Sequence, residues 1–190
     1  MPVLPDSELI CAFNARAKAH GWPFRCAPAG DFEHGELNSA LALWRSKAAG
    51  RAMPSRTDMT ARAMKPYLTQ MSLLERVAED GRPRYRIRLH GSALARYAGD
   101  TTGKFVDEVV PGARLEGYRN LYDTVLAYAA PLRVVSHYQG PQIDYLIGET
   151  LLAPLAVPDA KPPLILSVTY AKPRSGIAGD GAAFGLETHA

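Results

Sequence analysis

Two histidines, two tyrosines and a run of alternating arginines are the side chains of this protein best equipped for chemistry. His90 and His137 fall near the ends of predicted strands, where an imidazole can titrate near neutral pH or hold a polar ligand. Tyr118 and Tyr122 are one helical turn apart, so they share a helix face. That spacing suits core rings whose hydroxyls reach the margin, and equally a pocket wall that orients a small molecule. In the run Arg84 to His90, the arginines at 84, 86 and 88 alternate with Tyr85, Ile87 and Leu89. The pattern is that of a half-buried strand, with those three apolar residues on the core face. Its arginines fit a solvated face paired with acids such as Glu75, or a docking surface for carboxylates. We assign Arg88, His90, Tyr118, Tyr122 and His137 to ligand binding. Arg84 and Arg86 are assigned to partner contact, together with the apolar residues Leu9, Ile10 and Phe13 near the N-terminus.

Motifs for other chemistries are missing. There is no GxSxG, HExxH or GxxxxGK[ST] pattern, and Asp144 and Glu149 are too few to nominate an acid–base pair. Cys11 and Cys26 lack metal-ligand spacing, and reduced thiols are expected. No catalytic residue and no metal site is assigned. Arg56 and Asp58 read as a clasp that pins irregular backbone.

The 190 residues include 47% apolar and 22% charged side chains, with a formal net charge of +3. This is the composition of a globular chain with a real core. The small, scattered positive excess gives nucleic acid little to grip. No apolar run approaches the roughly 20 residues that span a bilayer, and the N-terminus lacks a basic leader. A cytoplasmic location is expected.

Several elements must position these side chains. A helix is predicted over about 6–20 and a loop over 21–36. A second helix over 37–48 carries Leu37, Leu41, Trp44 and Ala48 on one stripe. A short helix at 60–65 ends near Pro66. Strands follow at 70–77 and 83–90 around the Glu79-Asp80-Gly81 turn, then a short helix from Ser92 to Gly99. The best helix runs over 113–129, with Leu115, Tyr118, Tyr122, Val125 and Leu126 on its inner face. Strands at 132–139, 143–153 and 163–171 complete an antiparallel α+β chain. A mobile tail is expected from Lys172.

The order and spacing of several motifs resemble the PAS fold, and more narrowly a bacterial group of small PAS-like proteins. The resemblance rests on Leu43-Trp44-Arg45, Met53-Pro54-Ser55-Arg56-Thr57-Asp58 and Tyr85-Arg86-Ile87-Arg88-Leu89-His90-Gly91. It extends through Gly99 to Gly103 and Leu152-Ala153-Pro154-Leu155, covering roughly residues 38–171. It implies a five-stranded antiparallel sheet with helices on one face, used for sensing and protein contact. Residues 1–36 would then be an N-terminal extension, 37–171 the domain and 172–190 the tail. PAS-like domains hold ligands between the sheet and the long helix. The long helix has no histidine for haem, and neither cysteine lies in the core for a covalent flavin or chromophore. No cofactor is therefore identified.

The expected function is a sensory or adaptor module that binds a small ligand, a partner protein or both. No kinase, cyclase or DNA-binding output segment is recognised, so output is expected through an unidentified signalling protein or a homodimer. The rival readings are a small-molecule enzyme using the same cavity and, behind it, a nucleic-acid binder using the arginine strand.

Overall fold

The computed structural model describes residues 6–79, 81–138, 146–157 and 163–173. Five α-helices, α1 (Asp6–His20), α2 (Gly35–Ala48), α3 (Ser92–Ala98), α4 (Val106–Val109) and α5 (Gly112–Tyr128), pack around a six-stranded sheet. The strands are β1 (Phe24–Pro28), β2 (Met71–Glu79), β3 (Arg82–His90), β4 (Leu132–His137), β5 (Leu146–Leu155) and β6 (Leu164–Pro173). Their order across the sheet is β1-β4-β5-β6-β2-β3 and every pairing is antiparallel. The α+β class is the expected one. The sheet has six strands rather than five because part of the predicted 21–36 loop pairs with β4 from Phe24 to Pro28.

Side-chain alternation along the strands divides the core in two. Leu74, Leu132, Val134, Leu152 and Ile165 face one side, where they meet α1, α4 and α5. Leu73, Leu151, Ala153, Leu166 and Val168 face the other, against α2 and the 53–70 segment. Both faces are thus covered, which explains why β5 and β6 are apolar on both sides. Trp44 of α2 donates its indole N–H to the Pro154 carbonyl at 3.0 Å. The Ala156 N–H bonds to the Pro54 carbonyl at 2.9 Å. These two contacts explain the spacing of the Trp, Pro-Ser-Arg and Leu-x-Pro-Leu motifs: the motifs meet at one edge of β5.

Four local expectations are corrected. Asp58 does pin backbone, but its partners are the Ser55 N–H and hydroxyl and Arg51, at 2.7, 2.6 and 2.8 Å. Arg56 instead donates to the Met59 carbonyl at 2.6 Å. Pro66 opens a 3-10 helix, Lys65–Gln70, instead of closing one, since a proline costs a helix nothing in its first turn. The N-terminal helix has no spare apolar patch: Ile10 and Phe13, at 6% and 2% exposure, lie in the same core cluster as α5 residues Leu121 and Val125, while Leu9 is half-buried. With α1 and β1 both built into that core, residues 6–28 are continuous with the sheet. Lys172 and Pro173, expected in the tail, belong to β6; the rest of that expectation, 174–190, and residues 139–145 and 158–162 lie outside the described residues.

Candidate functional site

A register shift in β3 creates the site. Leu74 pairs with Ile87 and Leu73 with Leu89, so Arg88 is an extra residue facing the β2 backbone. Such a bulge turns every later side chain to the opposite face. Leu89 therefore leaves the Tyr85–Ile87 face, against the expectation of unbroken alternation, and packs in the α2 core. His90 takes the Ile87 face and points beneath the helices.

There it joins a cavity of about 290 Å³ between the sheet and α3, α4 and α5. The floor carries Leu74, Ile87, Val134 and Leu152, and the roof Val106, Leu121, Tyr118 and Tyr122. Two rungs of polar side chains cross the floor. Thr150 and Thr169 share a hydroxyl–hydroxyl bond at 2.9 Å. On the next rung Ser167 pairs with Ser72, and Ser72 with His90, where the serine Oγ meets the imidazole Nδ1 at 3.1 Å. At that end Thr101 Oγ1 has no hydrogen-bond partner among the described residues, and His90 Nε2 makes no hydrogen bond of ordinary geometry there, although the Leu94 backbone approaches the imidazole. Thr101 is 4% exposed. Unmatched buried polar groups are costly, typically about 1–3 kcal/mol each, and are rare in native proteins.

Burial holds the His90 pKa below its usual value, with the Leu94 backbone and the Asp100 carboxylate offsetting part of the effect. The imidazole is accordingly neutral at pH 7. Burial also raises the pKa of Tyr122, reinforced by Tyr118 and Tyr85. The Tyr118 hydroxyl is raised by burial too, against the pull of Arg114. Both phenols stay protonated and can donate.

Of the side chains assigned to ligand binding, the cavity brings together His90, Tyr118, Tyr122 and His137. Arg88 is not among its lining residues; it is the bulged residue and pairs with buried Glu75 at 2.8 Å. Arg84 and Arg86 are engaged within the chain. Arg84 bonds Asp107 through two nitrogens, at 3.0 and 2.6 Å, and also pairs with Glu79. Its guanidinium lies 3.7 Å from the centre of the Phe105 ring, and that of Arg86 4.9 Å. Asp107 is held below the ordinary carboxylate range, chiefly by its hydrogen bond from Arg84. These arginines tie α4 to β3 and so fix the cavity roof.

Sequence reasoning missed Thr101, Arg114 and the floor hydroxyls. The hydroxyls had a signal: Ser72, Thr150, Ser167 and Thr169 are polar residues on the inward face of strands otherwise filled with Leu, Ile and Val. Thr101 and Arg114 had none, since one sits in a polar turn and the other in the first turn of a helix. Among the described residues no group of three His, Cys, Asp or Glu side chains could hold a metal. Cys11 is exposed, but Cys26, expected outside the core, is buried in the core cluster with α1 and α5, which pushes its thiol up to about 12.

An antiparallel sheet roofed by short helices and one long helix, with a cavity between, defines a sensory-domain architecture. Residues 32–169 match the sequence profile of the PAS domain, and the chain belongs to that family. PAS domains are sensory and signalling modules. No curated protein and no solved structure shows significant similarity to the chain. No described helix is long and apolar enough to cross a membrane.

Proposed function

We propose that this PAS domain is a ligand-responsive sensory or adaptor module, with a small molecule bound between the sheet and α5. The reading is carried by His90 Nε2 and Thr101 Oγ1, buried polar atoms without a hydrogen bond of ordinary geometry, which border an otherwise largely apolar cavity. A ligand that satisfies them removes a penalty present in the empty protein.

The cavity is coupled to the surface through α5. Tyr118, Leu121 and Tyr122 of that helix line the cavity. α1 packs on the same helix, with Arg16 donating to the Asn120 side chain at 2.9 Å. Occupancy that favours one position of α5 shifts how α1 sits, which is a population shift with a defined route. The output is contact with another protein, a second copy of the chain included.

Native mass spectrometry and thermal melting of the full chain test this reading. The expected results are a non-covalent adduct that denaturation releases, or a melting rise with a compound from a metabolite library. Ser167→Leu, which fills the floor, should abolish either. A bare wild-type mass combined with no melting response to any compound overturns the proposal.

A further inference from the structure

Among the described residues the cavity lining contains no acidic side chain, yet it contains a cation with no counter-ion. Its ionisable cationic residues are Arg114, His90 and His137. The Arg114 side chain makes no ion pair or hydrogen bond among the described residues; its backbone N–H bonds the Pro111 carbonyl at 2.9 Å. Other described arginines also lack an ion pair, but Arg114 is the arginine among the described residues that lines the cavity. A guanidinium left without a carboxylate beside an apolar cavity is suited to an anion supplied from outside.

The two ends of the cavity differ. Tyr118 packs against Phe24 of β1 with ring centres 4.7 Å apart, and Tyr122, one turn on, against Tyr85 of β3 at 5.0 Å. α5 therefore runs from the β1 end toward β3, and Arg114, one turn before Tyr118, falls on the side away from β3. His90 and Thr101 lie at the β3 end. From β4 to β3 is four strand steps, roughly 19 Å at about 4.8 Å each. Between the ends lie Leu74, Leu121 and Leu152, and the Thr150–Thr169 hydroxyls already satisfy one another. A cationic ligand would face Arg114 with no carboxylate to receive it. A dianion would find only one permanent cation.

We propose that the cavity takes an elongated, singly anionic amphiphile. Its carboxylate meets Arg114, its apolar body lies along the slot, and a terminal hydroxyl or carbonyl bonds His90 Nε2 and Thr101 Oγ1. The inference rests on the ligand-binding reading above. It adds the charge, shape and polarity of the occupant.

Isothermal titration of the full chain with decanoate, 10-hydroxydecanoate, decan-1-ol and decylamine at pH 8 tests it. The hydroxy acid should bind tightest, at least tenfold better than the alcohol, and the amine should not bind. Arg114→Gln should weaken both acids about tenfold and leave the alcohol unchanged, while Arg114→Lys retains most of the affinity. Thr101→Val should reduce the hydroxy acid to the level of decanoate. It should not lower the melting temperature of the empty protein, because the deleted hydroxyl has no partner there. Equal affinity for alcohol and acid, or unchanged acid binding in Arg114→Gln, overturns the anionic assignment and leaves the sensor reading standing. If none of the four binds but another molecule co-purifies, this inference fails alone. If none binds and the library also gives no response, both fail.

Discussion

A methyl group at Gly91 would lie 2.3 Å from the Thr69 carbonyl oxygen and 2.5 Å from its carbon. Both atoms are backbone and cannot swing aside. The Gly91 N–H is also committed, to the Met71 carbonyl at 2.8 Å. The residue therefore holds the end of β3 against the turn that leads into β2, directly after His90. Gly91→Ala should cost about 3 kcal/mol in urea unfolding through overpacking. Gly30→Ala, where an added methyl meets nothing within 4 Å, should stay within about 0.5 kcal/mol. Equal stability of the two variants would show that the Thr69 turn yields. Gly91 ends the Tyr85–Gly91 motif, and its close approach to the Thr69 backbone is the physical reason a glycine stands there. Arg88 was misread for a related cause: a bulge leaves no mark on the alternation of residue types until its partner strand is known.

The N-terminal helix shows how far an isolated pattern can mislead. Leu9, Ile10 and Phe13 formed a patch with no visible partner because the partner, α5, lies about a hundred residues away. Once α5 is in place, Phe13 packs in the core with its ring tilted 40° to that of Trp22, ring centres 6.1 Å apart. Trp22 in turn lies against Gly117, where an added methyl would stand 3.0 Å from the indole. Phe13→Ala should therefore destabilise the whole domain by about 3–5 kcal/mol in chemical unfolding, as a core truncation does. A loss below about 1 kcal/mol, with α1 released to protease and the rest intact, would make α1 an appendage. β1 escaped detection for a similar reason. Its run Phe24-Arg25-Cys26-Ala27-Pro28 is short, ends in proline and lies among turn residues, so only its pairing with β4 makes it a strand. Elements with strong internal periodicity, α2, α5 and β2 to β6, were found within a few residues.

Across the molecule, the family motifs divide between the two faces of the sheet, and the residues proposed to contact a ligand gather on one of them. Trp44, Pro54, Asp58 and Pro154 meet at the α2 side of the sheet and specify the scaffold. His90, Thr101 and Arg114 lie on the other side: His90 and Thr101 fall inside the Tyr85–Gly91 and Gly99–Gly103 motifs, while no motif contains Arg114. This separation makes acid stability a way to see the cavity through the fold. The His90 ring meets the Ser72 hydroxyl, the Leu94 backbone and the field of the Asp100 carboxylate, its backbone N–H donates to the Thr102 hydroxyl, and burial depresses its folded pKa. The unfolded chain takes up a proton at this residue near pH 6.5 while the folded chain resists. Stability contributed by neutral His90 is thus present above about pH 6.5 and lost as pH falls toward the folded value. Asp58, at about 2, Asp100 and Asp107 are depressed by hydrogen bonds, so their contribution is present above about pH 4 and fades below it. The melting temperature should accordingly be flat near pH 7–8, decline from about 6.5 downward and fall again below about 4. His90→Gln should flatten the first decline and keep the second. A variant that retains the wild-type slope between pH 7 and 5 would place the titrating group elsewhere. Occupation of the cavity should act on the same step, because a ligand hydroxyl that donates to the unprotonated Nε2 of the neutral ring opposes its protonation.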